Sequence, residues 1–378
     1  MNKQFLSLLV ASALVVCSCQ NNPQQKETAS APQDTVVAEP QPCVADTILT
    51  FAAQYYSGIV DATMAYKRMA KVDSILVRDM SDMQKETTYL FYPFGGPDFI
   101  FPHHIAPNAD VYFLMGLEPI GNAPADKDAS KKSIYAQALS TYFNSSFYVT
   151  TSMQADLSKE KVGGTLPIIT MLMAKEDCQI ISVKKMNFDE QGNMVDATDK
   201  DAHIAEIKFF SAKTPTHEQT VYYYRGNTKD NAIEPGLTAY LSKTLPKYKV
   251  STFLKAASYL IHDGNFSKIC SAALDHSWAI LGDDSGIPYR FFDQKVWDIT
   301  LYGSYCRPLK CFSDYTFQRD LDAVYKEKKS EIKPLDVRIG YNHQSNWMCA
   351  RKKKLHWSRW LAPSHKNQSL CLTTSFSC

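Results

Sequence analysis

The sequence lacks four short motifs that mark common enzyme and nucleotide-binding sites. It contains no G-x-S-x-G nucleophile elbow, no G-x-x-x-x-G-K-[ST] phosphate loop, no H-E-x-x-H zinc helix and no G-x-G-x-x-G dinucleotide loop. It also has no C-x-x-C and no paired Cys/His spacing of a zinc site. We therefore expect no cofactor and no metal. Most cysteines are expected to be isolated core thiols, with a Cys306–Cys311 loop bridge as the alternative.

The chain has almost no excess of one charge sign. Its 41 Lys and Arg stand against 39 Asp and Glu, which gives a formal net charge of +2. Nucleic-acid-binding proteins typically present a basic excess, so nucleic acid is not an expected partner. Hydrophobic residues make up 45% of 378 positions, and no internal repeat is present. This composition suits a globular body of one large or two medium domains.

The apolar run at the N-terminus is too short to cross a bilayer as a helix, which takes about 20 apolar residues. It ends at Val16 and is followed directly by Cys17-Ser18-Cys19. Cys19 has a branched apolar residue three places before it and a small residue directly before it, which is the spacing of a lipoprotein signal. Cys17 fits less well because the bulky Val16 precedes it. We expect residues 1–18 to be a lipoprotein signal peptide and Cys19 to be acylated, with an ordinary secretory peptide as the alternative.

The segment after the predicted anchor has the composition of a spacer. Residues 19–43 are rich in Asn, Pro, Gln, Ser and Thr and poor in large apolar residues, so we expect them to be disordered. Gln20, rather than Asp, follows Cys19, and this favours the outer membrane. The predicted location is therefore the cell envelope, on the periplasmic or the outer face of that membrane, with the membrane as a partner through the lipid.

The C-terminal segment differs from the rest of the chain. No acidic residue follows Asp336, and from Leu355 the apolar residues lose any period. Residues 355–378 are predicted to be a disordered basic tail that packs on nothing. A shifted reading frame and contact with anionic lipid or cell-wall polymer are the alternatives. Residues 44–354 are then expected to form a single α/β domain.

The order of predicted elements indicates the fold class. A helical stretch comes first, then two short aromatic strands, then closely spaced strands, and then helices. The predicted strands are Tyr89–Phe94, Asp110–Gly116, Leu166–Ala174, Gln179–Phe188, His203–Phe210 and Gln219–Tyr224; the later helices are Thr252–His262 and, with Asn265 as N-cap, Phe266–Leu281. We predict an α/β fold with a mixed β-sheet, parallel in its first part and with antiparallel hairpins later, covered by helices.

Two carboxylates follow the first two predicted strands. Asp98 comes just after the strand ending at Phe94, and Glu118 just after the strand ending at Gly116. Ligands of open α/β sheets bind at that edge, so the pair could share acid and base work or hold a metal with His103 or His104. The structural alternative is a Gly-Gly-Pro-Asp turn with Asp98 capping a helix.

A second polar stretch is Asp283-Asp284-Ser285-Gly286-Ile287-Pro288-Tyr289-Arg290. Asp283, Asp284, Ser285 and Arg290 are candidate ligand-binding residues, with the arginine as a carboxylate clamp. The structural alternative is an ordinary loop whose side chains bond their own backbone.

These stretches resemble a known family. The motifs YPFGGPDF (residues 92–99), GLEP (116–119), DDSGIPYR (283–290) and LYGSY (301–305) are similar to those of uncharacterised bacterial envelope proteins, many with lipoprotein signals. The resemblance covers residues 50–354 and brings no established activity. It implies that the body ends before residue 355.

Two functions are compatible with these observations. The first is a lipid-anchored envelope protein whose body binds a small polar ligand or a protein partner. The alternative is an envelope hydrolase or transferase that uses Asp98 and Glu118. An enzyme requires these carboxylates and the 283–290 loop to converge on one pocket.

Overall fold

The structure, a computed structural model, describes residues 52–145, 157, 161–198, 200–305, 308, 316–339 and 345–353. Cys19, the predicted spacer and tail, and the Cys306–Cys311 pair lie outside these ranges. The helices are α1 (Thr63–Asp79), α2 (Ser81–Glu86), α3 (Ile100–Ile105), α4 (Lys132–Ser145), α5 (Leu166–Lys175), α6 (Pro235–Thr244), α7 (Ser267–His276) and α8 (Arg319–Glu327). The strands are β1 (Tyr89–Tyr92), β2 (Val111–Gly116), β3 (Cys178–Phe188), β4 (Met194–Asp196), β5 (Ile204–Ser211), β6 (Thr214–Arg225), β7 (Val250–Leu254), β8 (Ser277–Gly282), β9 (Trp297–Gly303) and β10 (Asn346–Lys352).

All ten strands belong to one sheet, in the order β4-β3-β5-β6-β2-β1-β7-β8-β10-β9. The five central strands run parallel to one another; in the order of the sheet they are β6, β2, β1, β7 and β8. Antiparallel strands extend the sheet on both sides. The predicted α/β class with a mixed sheet is therefore confirmed. Strands β1, β7 and β8 are buried along their whole length because helices cover both faces, as parallel sheets require.

Two hydrophobic clusters separate the helices by sheet face. Helices α1 to α5 pack on the first face, where Met69, Phe101 and Leu172 are core residues. Helices α6 to α8 pack on the second face, where Leu241 and Ile269 are core residues. In α1 the buried positions recur every three or four residues, which is why the sequence pattern predicted a helix there.

The predicted strand Leu166–Ala174 is wrong, because this segment is helix α5. Every residue from Leu166 to Ala174 is buried, so no apolar period distinguishes a buried strand from a buried helix. Pro167 stands in the first turn, where its missing N–H removes no helical hydrogen bond.

The two predicted helices after residue 250 are wrong in their bounds and partly in type. The first is strand β7 followed by a 3-10 helix over Ala257–His262. The second is the shorter helix α7 followed by strand β8. Asn265 is not the N-cap of α7; its backbone N–H instead donates to the side chain of Asp263. Both missed strands are short and fully buried, so they carry no alternation of apolar and polar residues.

No helix within the described ranges has both the length and the apolar character needed to cross a membrane. Among the described residues, Cys178, Cys270 and Cys349 are buried free thiols.

Candidate functional site

The connections after β1 and β7 turn to opposite faces of the sheet. These strands are neighbours, with Tyr89 opposite Val250. The chain after β1 enters α3 on the first face, whereas the chain after β7 leads to α7 on the second face. The carboxyl edge between two such strands is the topological switch point, where open α/β sheets bind ligands.

A buried ion pair spans this switch point. Asp98 follows β1 and Lys255 directly follows β7, and the Lys255 ammonium lies 2.7 Å from Oδ2 of Asp98. The two residues are only 3% and 2% exposed. The ammonium also lies 3.6 Å from the ring centroid of Phe101, a cation–π contact. Burial lowers the pKa of Lys255, and the neighbouring Asp98 partly offsets that effect.

Asp98 accepts four donors in total. Besides Lys255, Tyr92 donates to Oδ2 at 3.1 Å and Tyr142 donates to Oδ1 at 2.5 Å. The backbone N–H of Phe101, in the first turn of α3, lies 3.4 Å from Oδ1. Asp98 therefore contacts the helix N-terminus as a capping residue does, and it also has a charged partner in the connection after β7.

The loop after β8 brings two further buried carboxyls to the same edge. Asp283 accepts the backbone N–H and the hydroxyl of Ser285 on Oδ1 and the N–H of Ala256 on Oδ2, at 2.5–2.9 Å. Asp284 accepts the hydroxyl of Tyr259. Burial raises the pKa of both carboxyls, and the neighbouring Asp283 helps to bring that of Asp284 to about 7.

We call Asp98, Lys255, Asp283 and Asp284 the switch-point cluster. It combines one ammonium with three carboxyls on three neighbouring connections. The chemistry available there is hydrogen bonding to a polar group, with a carboxyl at Asp284 that changes its proton occupancy near neutral pH.

Glu118 and Arg290, the other two predicted site residues with charged side chains, do not belong to the switch-point cluster. Glu118 is buried after β2, where its Oε2 accepts the N–H of Leu117 at 3.1 Å and its backbone carbonyl accepts the hydroxyl of Tyr223 at 3.0 Å. Burial raises its pKa. The carboxyls of Asp98 and Glu118, both within the described residues, form no hydrogen bond with each other. Arg290 is exposed, and its guanidinium lies 4.8 Å from the ring centroid of Phe291.

His103 and His104 belong to a separate buried network on the first sheet face. Nδ1 of His103 and Nε2 of His104 each lie 3.0 Å from Oε2 of Glu176. His103 also bonds Ser211 at 3.0 Å, and His104 bonds Asp73 at 2.6 Å. Across the described ranges, no three His, Cys, Asp or Glu side chains are arranged to hold a metal ion.

Lys255 is the functional candidate that sequence reasoning missed. A lysine directly after an apolar run, in Val250-Ser251-Thr252-Phe253-Leu254-Lys255, was the available signal. The sequence pattern does not reveal this role, because it predicts a helix over Thr252–His262 where the structure has a strand of the parallel sheet.

Comparison with known proteins adds no assignment: no family model, no curated protein and no solved structure matches this chain. The function must therefore be inferred from the geometry of the site.

Proposed function

We propose that this is an exported, lipid-anchored envelope protein whose α/β body binds a small polar ligand at the switch-point cluster. The observation that carries the proposal is the buried ion pair between Lys255 and Asp98 at the sheet edge where such folds bind ligands. The position of the pair, and not its chemistry alone, supports a binding role.

The energetics of burial support the same proposal. Taking an ion pair out of water costs several kcal/mol per ion, and well-packed apolar side chains are often as stabilising in its place. Stability alone therefore gives no reason for two more carboxyls, Asp283 and Asp284, to be buried beside the pair. Clusters of desolvated, perturbed ionisable groups are concentrated at functional sites.

The alternative, a hydrolase or transferase that uses Asp98 and Glu118, has less support. The two oxygens of Asp98 are engaged by four donors, and Glu118 is bonded to its own loop and to Tyr223. If the protein has an acid–base activity, Asp284 is the better candidate residue, because its pKa lies near the working pH of general acids.

Ligand binding can be tested by a thermal-shift screen of sugars, amino acids, carboxylates and nucleosides on the purified protein. A ligand at 100 times its dissociation constant stabilises the folded state by about 2.7 kcal/mol. That raises the melting temperature by about 4 °C for a domain of about 300 residues. Asp284→Asn should abolish the shift, whereas Asp275→Asn, at an exposed position on α7, should leave it intact. A shift that survives both Asp284→Asn and Asp98→Asn would contradict the proposed site.

The lipid anchor is tested separately, by feeding cells labelled palmitate. We expect the chain to incorporate label and to sediment with membranes, and Cys19→Ala to lose both properties. Cys17→Ala is the matched control and should keep them. Unchanged labelling of the Cys19→Ala protein would show that the anchor assignment is wrong.

A further inference from the structure

A small apolar cleft lies at the carboxyl ends of β2 and β6, on the second face of the sheet. It has a volume of about 310 Å³, within the size range of small-molecule sites. Its apolar lining comes from Phe94, Met115, Leu117, Leu260 and Phe266. We call it the Phe94–Phe266 cleft, after the two rings whose centroids lie 5.7 Å apart in an edge-to-face contact.

The rim of this cleft exposes large apolar side chains to water. Leu117 is 49% exposed and Leu260 is 39% exposed, which places both among the few exposed large hydrophobic residues of the described chain. Each belongs to a different connection, one after β2 and one after β7. Exposed apolar side chains that converge on one concave surface typically mark a binding site.

The backbone at the cleft is strained. Phe94 has φ +63°, a left-handed conformation that bulky residues rarely adopt. Such strain costs on the order of 1–3 kcal/mol and is concentrated at ligand clamps. Here the strained backbone holds the Phe94 ring in the lining, against Phe266.

One side of the cleft is polar and positively charged. The residues after β6 that line it are Asn227, Thr228 and Lys229. Lys229 is the one charged residue of the lining and is exposed, and its ammonium has no ion-pair partner among the described residues. A ligand that fits this arrangement has a flat or branched apolar body and one negative charge at its end.

We infer that the Phe94–Phe266 cleft is a second ligand site, which takes a small anionic amphiphile with its apolar body against the two rings and its anionic group beside Lys229. The site is distinct from the switch-point cluster, since no residue is shared. The two sites can therefore be disrupted independently.

The probes are anilinonaphthalene sulfonate, which is anionic, and N-phenyl-1-naphthylamine, its uncharged analogue. We expect each to bind the intact protein saturably at one site, measured by fluorescence titration. Lys229→Met should weaken binding of the anionic probe by about tenfold and leave binding of the uncharged probe unchanged. Lys132→Met, at an exposed position on α4, is the matched control and should change neither.

The double variant Leu117→Ser/Leu260→Ser should weaken binding of both probes by about tenfold, because it removes apolar contacts that both probes make. Val77→Ser, at a position 64% exposed on α1, is its control. Both sets replace exposed side chains, so the fold is retained, and melting curves verify this. Binding without saturation, or lysine and leucine variants that behave like their controls, would overturn the inference.

Discussion

Replacing Lys255 with Met is expected to lower the free energy of unfolding by about 3–5 kcal/mol. The substitution keeps the length of the side chain but removes the ammonium that lies 2.7 Å from Asp98. The remaining carboxylate is then buried with only the hydroxyls of Tyr92 and Tyr142 and one backbone N–H. Urea unfolding followed by circular dichroism measures the loss.

A double-mutant cycle shows whether the loss of stability comes from the buried Asp98 carboxylate that is left without its ammonium partner. Adding Asp98→Asn to Lys255→Met removes the unpaired carboxylate, while the amide oxygen can still accept the tyrosine hydroxyls. We expect the double variant to be more stable than Lys255→Met, with a coupling of about 1–3 kcal/mol.

The exposed pair of Lys71 and Asp336 provides the control, since it is separated by 3.7 Å and its side chains are 55% and 71% exposed. Lys71→Met should change stability by less than about 1 kcal/mol, as for surface ion pairs in general. A Lys255→Met protein no less stable than Lys71→Met would show that the switch-point pair is not desolvated as the structure implies.

The parts of the fold with clear periodicity could be predicted from the sequence. Helix α1 has buried positions every three or four residues, and the aromatic strands β1 and β2 end at Gly and Pro turns. The hairpin between β3 and β4 turns at Asp189 and Gly192, residue types that favour such turns. These elements are specified locally, so a single sequence is enough to find them.

Fully buried elements could not be distinguished in this way. Helix α5 and strands β7 and β8 are buried on every side, because each is covered by other parts of the fold. Their type is decided by tertiary packing rather than by local pattern. The same ambiguity extends to the site: the turn after β1 indicates Asp98 from the sequence, whereas its partner Lys255 follows only from the pairing of β7 with β1.

The His103–His104 network leads to a second large effect, on the pH dependence of stability. Burial disfavours a charge on His104, but its hydrogen bond to Asp73 and the nearby Glu176 outweigh that effect and raise its pKa to about 8. Burial lowers the pKa of His103, and its hydrogen bond to Glu176 partly offsets that effect. His104 is the protonated member of the pair at neutral pH.

The direction of the effect follows from the pKa of His104 in the two states. Its folded pKa, about 8, lies above its ordinary value of 6.5, so the folded state holds the proton more tightly. The resulting stability is fully present below pH 6.5 and is lost as the pH rises through 8. A difference of 1.5 pKa units corresponds to about 2 kcal/mol. Glu176 keeps its charge throughout this window, because His103 and His104 outweigh its burial and lower its pKa.

We therefore expect wild-type protein to lose about 2 kcal/mol more than His104→Gln between pH 6 and pH 8.5, measured by urea unfolding at several pH values. Comparing how the free energy of unfolding changes with pH in the two proteins isolates the contribution of His104, since every other titrating group is common to both. His217→Gln is the matched control, because His217 pairs with Asp110 at 3.0 Å but is 43% exposed, and it should keep the wild-type slope. Parallel pH profiles for wild type and His104→Gln would mean that folding does not shift the pKa of His104.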